Sequence, residues 1–266
     1  MGRGTRLAPR APAVKQSAGE HPRPGPDTGA PTSGLAPGRD EDAFHEPVRR
    51  LLELLAGQSG QRCIVGLVGL PGAGKSTLAL RLAQQVDRHL GEGSALVLGM
   101  DGFHLTRAQL AQCADPQAAL ARRGAPWTFD PQALAQRLRS IRALPQPACA
   151  GTREVRWPGF EHGVGDPVPD AIAVPARARL LLLEGLYLLH RAHGWNLDGL
   201  LDACWYLDVA LEPALERLTQ RHMASWGMDR AQAWARVQRN DRLNAQIVTA
   251  TRPRAHWLVP AACAGL

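Results

Sequence analysis

Lysine is nearly missing from this chain of 266 residues. Of 31 basic residues, 29 are arginine, and the two lysines are Lys15 and Lys75. Paired cysteines are missing too. Cys63, Cys113, Cys149, Cys204 and Cys263 stand far apart, odd in number and without a CxxC pair. That excludes a disulfide framework or a cysteine zinc site and points to a reducing, cytoplasmic setting. No apolar run approaches the roughly 18 residues of a membrane-spanning helix. The longest, 180–183 with 185–189, is interrupted by Glu184. No membrane partner is expected. The net charge of +7 suggests nucleic acid at first sight. However, residues 1–40 carry six basic and three acidic side chains, and no basic block follows. A nucleic-acid partner is therefore not expected either.

Residues 1–40 hold seven prolines and seven glycines, with few large apolar residues. Such a segment cannot bury enough surface to offset its chain entropy. It also lacks the apolar core of a secretory signal. We read 1–41 as a disordered tail, with an organelle transit peptide as the alternative, and 42–266 as one domain.

From Asp42 onward the apolar spacing of Phe44, Val48, Leu51, Leu52, Leu54 and Leu55 is helical. Short apolar strands are expected over 63–68, 95–100, 179–183, 203–209 and 256–259. Helices are expected over 76–90, 212–223 and 229–241. Thr106 with Gln109 has the form of a capping box, and Asp130-Pro131 the form of a helix start running to about 143. Residues 145–175 are rich in glycine and proline and read as irregular. Alternating strands and helices argue for an α/β fold with a doubly wound parallel sheet.

Gly69-Leu70-Pro71-Gly72-Ala73-Gly74-Lys75-Ser76 fits GxxxxGK[ST] in full, between an expected strand and an expected helix. Its glycines let backbone N–H groups wrap phosphate oxygens, and the helix start adds its dipole. Lys75 would reach the β- and γ-phosphates; Ser76 would offer its hydroxyl to Mg²⁺, with Thr77 beside it. The one lysine of the body thus falls where a compact ammonium suits the site. With no later lysine there is no guanine-reading NKxD motif, and no transporter signature or second nucleotide loop is present.

Asp101 follows the second expected strand, where strand ends line the ligand crevice of a doubly wound sheet. A carboxylate there can take a proton from an acceptor hydroxyl or help hold Mg²⁺; an ordinary Asp-Gly turn is the competing reading. Glu184 ends a run of four leucines, a place where a carboxylate is costly unless paired or metal-bound. Arg217, Arg221, Arg230, Arg236, Arg239 and Arg242 crowd the helices after Asp208. Arg217 and Arg221, four apart on one face, are the candidates for a phosphate-clamping helical lid. The others read as solvated helix face.

Four stretches, GLPGAGKST, MDGFHL, RRGAPWTFD with PGFEH, and LLLEGLYLL, resemble the P-loop small-molecule kinases. That group includes uridine kinase, phosphoribulokinase and bacterial type I pantothenate kinase. The likeness extends to the bacterial branch of nucleoside/nucleotide or fructose-transport-system kinases and covers about 45–260. It implies a P-loop NTPase fold with Asp101 as base for the acceptor hydroxyl. It also implies Glu184 as Mg²⁺ ligand or organiser, Ser76 at the metal, and Arg217 and Arg221 in the lid. Residues 122–130 are similar to RKGxPxSYD of pantothenate kinase, and Pro158–His162 to its PVYSH. This makes His162 an acceptor contact, with Phe103, His104 and Phe160 on the same side. Phe160 replaces a tyrosine, so a phenolic hydrogen bond is lost, and Glu161 is extra. Asn240, Asp241 and Asn244 resemble the NDxxN of the bacterial branch, without a derived role.

The expected activity is ATP- and Mg²⁺-dependent phosphorylation of a hydroxyl on a small molecule, a uridine- or pantothenate-like metabolite. Acceptors range over nucleoside, pantothenate-like and sugar-like alcohols, and a homodimer is left open. The rival readings are a nucleotide-dependent switch or scaffold without an acceptor, and RNA binding through the arginines.

Overall fold

The computed structural model describes residues 39–58, 61–144, 154–161 and 165–265. The tail expected over 1–41 lies outside that set, apart from the opening of the first helix. In α1 (Arg39–Gly57), Phe44, Val48, Leu51 and Leu55 are buried, one apolar stripe on one face. β1 (Cys63–Gly69) is buried at all seven positions, as a central parallel strand covered on both faces must be. α2 (Lys75–Leu90) follows directly, with Leu78, Leu82 and Val86 inward.

β2 (Ala95–Gly99) runs into a 3-10 turn, Met100–Phe103. The capping box at α3 (Arg107–Leu110) is present: Thr106 Oγ1 accepts from the Gln109 N–H at 3.1 Å, and Gln109 Oε1 from the Thr106 N–H at 2.8 Å. α4 (Pro116–Ala121) was not expected; Asp115 caps it. α5 (Pro131–Arg142) starts as expected, with the Asp130 carboxylate on the Ala133 N–H at 2.9 Å.

The largest departure lies within 145–175. Residues 155–161 and 166–174 are not irregular. They form an antiparallel hairpin, β3 (Val155–Glu161) with β4 (Asp166–Val174), separate from the main sheet. Pro158-Gly159 coincides with a register shift between Trp157 and Gly159, which breaks the alternation that marks a strand. Beyond it come β5 (Leu180–Gly185), β6 (Ala203–Asp208), α6 (Leu211–Trp226) and α7 (Arg230–Arg236). The helix expected to stop at Asp241 does not stop. A π turn, Val237–Asp241, joins α7 to α8 (Arg242–Thr249). Asn240 and Asn244 take inward positions there, so the apolar period fades although the helix continues. β7 (Trp257–Pro260) is the last strand.

The main sheet is all parallel in the order β2-β5-β1-β6-β7. β1 lies between β5 and β6, and the connections on its two sides run in opposite directions. Its C-terminal end is thus the switch point where ligands bind in open α/β sheets. Register sets what meets there: Leu67 and Gly99 both pair with Glu184. This carboxylate therefore stands at the level where β1 turns into the glycine loop.

Candidate active site

The loop after β1 is held in a conformation its glycines permit. Gly72 and Gly74 have φ of +76° and +85°, in the left-handed region. Gly74 caps α2 and carries no side chain to do so; the first intrahelical bond is Leu78 N–H to Gly74 O at 3.0 Å. The first-turn N–H groups before it have no intrahelical acceptor and face the crevice as anion donors. Lys75 is 8% exposed and donates from Nζ to Leu70 O at 3.0 Å. Ser76 and Thr77 are exposed at the mouth.

Two carboxylates act on that ammonium. Burial pushes the Lys75 pKa down, and Glu184 and then Asp101 push it back up. For Glu184 the signs reverse: burial raises its pKa and Lys75 lowers it. Glu184 Oε1 accepts from Ser76 Oγ at 3.1 Å. Asp101 sits on the 3-10 turn beyond β2, with its side chain 44% exposed.

The β3–β4 hairpin covers that turn. The Trp157 indole N–H donates to Gly99 O at 2.9 Å, and Phe103 lies edge-on to Trp157, ring centroids 4.9 Å apart. Phe103 is 5% exposed. The His104 ring is 11% exposed and packs between Phe129 at 3.9 Å and Phe160 at 4.8 Å. Its Nδ1 lies 2.9 Å from Asp101 O. The Arg123 guanidinium lies 5.9 Å from the Phe160 ring and pairs with Asp166 at 2.8 Å. Asp101, Phe103, His104 and Phe160 are thus brought together. His162 lies outside the described residues.

From the other side, α6 packs on the loop. Arg217 Nε donates to Gly72 O at 3.0 Å, and its Nη2 is buried with no hydrogen-bond partner among the described residues. Arg221 is exposed, yet its charge opposes those of Lys75 and supports that of Glu184. The arrangement offers phosphate donors, two carboxylates and cations around one crevice.

Sequence reasoning missed the Asn240 and Asn244 contacts. Arg122 Nη1 donates to Asn240 Oδ1 at 2.8 Å, its Nη2 to Asn244 Oδ1 at 3.1 Å, and Asn240 Nδ2 to Arg123 O at 2.9 Å. It also missed Tyr187, whose hydroxyl donates to Gly124 O at 2.6 Å. The NDxxN spacing was the visible signal; its partners lie more than a hundred positions away.

A glycine loop with a buried lysine at the switch point of a parallel sheet defines a P-loop NTPase fold. The chain belongs to the Phosphoribulokinase / Uridine kinase family, whose profile matches residues 64–263. A Schizosaccharomyces pombe protein named "Putative uridine kinase C227.14" is 36% identical over 217 residues, covering 79% of this chain and 86% of that protein. The "ATP-dependent kinase YFH7" of Zygosaccharomyces rouxii is 32% identical over 241 residues, covering 81% of this chain and 61% of that one. A crystal structure titled "putative fructose transport system kinase" from Silicibacter sp. TM1040 is 32% identical. It superposes with a TM-score of 0.69, covering 80% of this chain and 97% of that chain. Among the described residues, no helix is long and apolar enough to cross a membrane.

Proposed function

We propose that this chain is an ATP- and Mg²⁺-dependent kinase that transfers the γ-phosphoryl group to a hydroxyl of a small metabolite. The observation that carries this reading is what stands beside the phosphate loop: Glu184 accepts from Ser76, next to the buried Lys75, and Asp101 sits on a turn against which β3 packs, a cover that a bare phosphate loop has no use for. The orphaned Arg217 Nη2 beside Gly72 O supports it, because a buried donor left without an acceptor suits an anionic ligand.

The residues fit Mg²⁺. The ion dehydrates reluctantly and takes only one or two protein oxygens besides phosphate and water. Ser76 Oγ and Glu184 Oε1, 3.1 Å apart, are such a pair, and no cluster of three or more His, Cys, Asp or Glu suited to a metal exists among the described residues. When bound, the ion supplies charge neutralisation on the transferring phosphoryl oxygens.

The chain's own groups do the rest. Amides of the loop from Gly69 to Thr77 bind the phosphates, and the Lys75 ammonium neutralises their terminal charge. Asp101 accepts the proton of the acceptor hydroxyl and aligns its oxygen in line with the phosphorus. Arg217 and Arg221, presented by α6, stabilise charge in the transition state. Phe160, His104 and Phe103 form the acceptor-side wall over Asp101.

The acceptor belongs to the alcohols of nucleosides, pantothenate-like compounds and sugars. The uridine and fructose in the relatives' names fall in that range. The test is ATP consumption by the purified full chain with Mg²⁺ over uridine and other nucleosides, pantothenate, fructose, other sugars and sugar phosphates. One class should raise turnover at least tenfold above the acceptor-free rate. A flat response across the panel, with slow acceptor-independent hydrolysis, would favour the switch reading.

A further inference from the structure

We infer that the π turn Val237–Asp241 couples the phosphate loop to the segment 122–130, so that nucleotide at the loop orders the acceptor side; this rests on the reading proposed above. The two adjacent residues that end the turn reach opposite ways. Asp241 Oδ2 lies 3.2 Å from Nε2 of the buried His222 on α6, the helix whose Arg217 holds Gly72 O. Asn240 reaches the other way, to Arg122 and the Arg123 carbonyl. Asn244, one turn further on, takes the second arm of the Arg122 guanidinium.

A chain of directed contacts thus runs from Gly72 through Arg217, α6, His222, Asp241 and Asn240 to Arg122. It continues through Gly124 O to Tyr187, two residues past β5 and three past Glu184. Burial makes the chain costly to break. Asn240 is 5% and Asn244 2% exposed, and a buried amide that loses its partner has no water to replace it. The guanidinium is gripped at both arms, a geometry an ammonium cannot reproduce. Single π turns inside α-helices are frequent at functional sites, and the shift to i→i+5 bonding re-aims the side chains around them. Here the re-aimed residues join the helix of the nucleotide side to the loop of the acceptor side.

The experiment is hydrogen exchange by mass spectrometry on the full chain, with and without AMP-PNP and Mg²⁺. It compares peptides covering 69–77 and 122–130. In the wild-type chain both should slow on adding AMP-PNP, 122–130 by about fivefold or more, the lower end of ordinary coupling between sites. In Asn240→Ala and Asn244→Ala, 69–77 should keep its protection while 122–130 loses it. Arg122→Lys, on the half-buried far side of the contact and less prone to unfold, should lose the 122–130 response as the alanine variants do. Persistence of that response in Arg122→Lys, or protection of 69–77 without 122–130 in the wild type, would overturn the coupling. Absence of protection at 69–77 in the wild type would overturn the nucleotide reading itself and the coupling with it.

Discussion

Replacing Gly102 with alanine tests whether the hairpin holds Asp101 in place. Gly102 does not have a left-handed φ, so an alanine meets no backbone penalty there. What it meets is β3. Its Cβ would lie 2.1 Å from Pro158 O, 2.7 Å from the Pro158 carbonyl carbon and 3.1 Å from its Cβ. The nearest two are backbone atoms and cannot rotate away. The turn and the hairpin must separate by about 1 Å, since close-packed interiors have no slack to absorb the clash. Such overpacking costs about 1–3 kcal/mol. The Trp157 indole bond to Gly99 O and the Phe103 edge contact are stretched in the same movement. Misplacing a reacting group by about 1 Å costs roughly 100-fold in rate. Urea denaturation of Gly102→Ala should show the stability loss, and AMP-PNP titration should find nucleotide affinity within about twofold of wild type, as an interaction outside the phosphate loop leaves ground-state nucleotide binding alone. Turnover on the acceptor should fall by one to two orders of magnitude. Unchanged turnover with the lost stability would refute the placement of Asp101 under β3.

Three further expectations follow from the same geometry. Lys75→Arg should lower turnover about 100-fold or more, because a planar fork does not fit the buried point-charge site; near-normal turnover would contradict the role of the ammonium. Arg217→Gln should reduce turnover strongly, while Arg230→Gln, which removes only the exposed pair with Glu216, should leave turnover unchanged; equal effects would remove α6 as the clamp. The pH profile of kcat/KM for the nucleotide, which reports groups of the ligand-free enzyme, should be a bell narrower than free side chains would give. Glu184 must be ionised and burial raises its pKa, so the acid limb should lie above 4.5. Lys75 must be protonated and burial lowers its pKa, so the alkaline limb should lie below 10.5; limbs at or outside those values would contradict this assignment.

The part of the site carried by local pattern was legible in the sequence. The glycine loop, its flanking strand and helix, the Thr106–Gln109 box and the Asp130 cap are all short-range features, each with its own chemistry. Glu184 was legible because a carboxylate ending four leucines is anomalous by itself. The hairpin was not legible. Val155 and Trp157 turn inward around exposed Arg156, but Pro158-Gly159 shifts the register before a period can be seen. The continuation through α8 was hidden by Asn240 and Asn244, polar residues on an inward face whose partners at Arg122 and Arg123 no local window contains. The nearness of Arg217 to Gly72 likewise depends on how α6 packs, with Ala214 O so close that a Cβ on Gly72 would lie 2.2 Å from it.

The most direct test of the account is Asp101→Asn, read by acceptor phosphorylation and by AMP-PNP affinity on the same protein. Losing a proton acceptor used only in the transition state should cost about 10²–10⁴-fold in phosphoryl transfer. Nucleotide affinity should stay within about threefold, since ground-state binding does not use that proton transfer. Full phosphorylation of the acceptor by Asp101→Asn would contradict the claim that this carboxylate is the base.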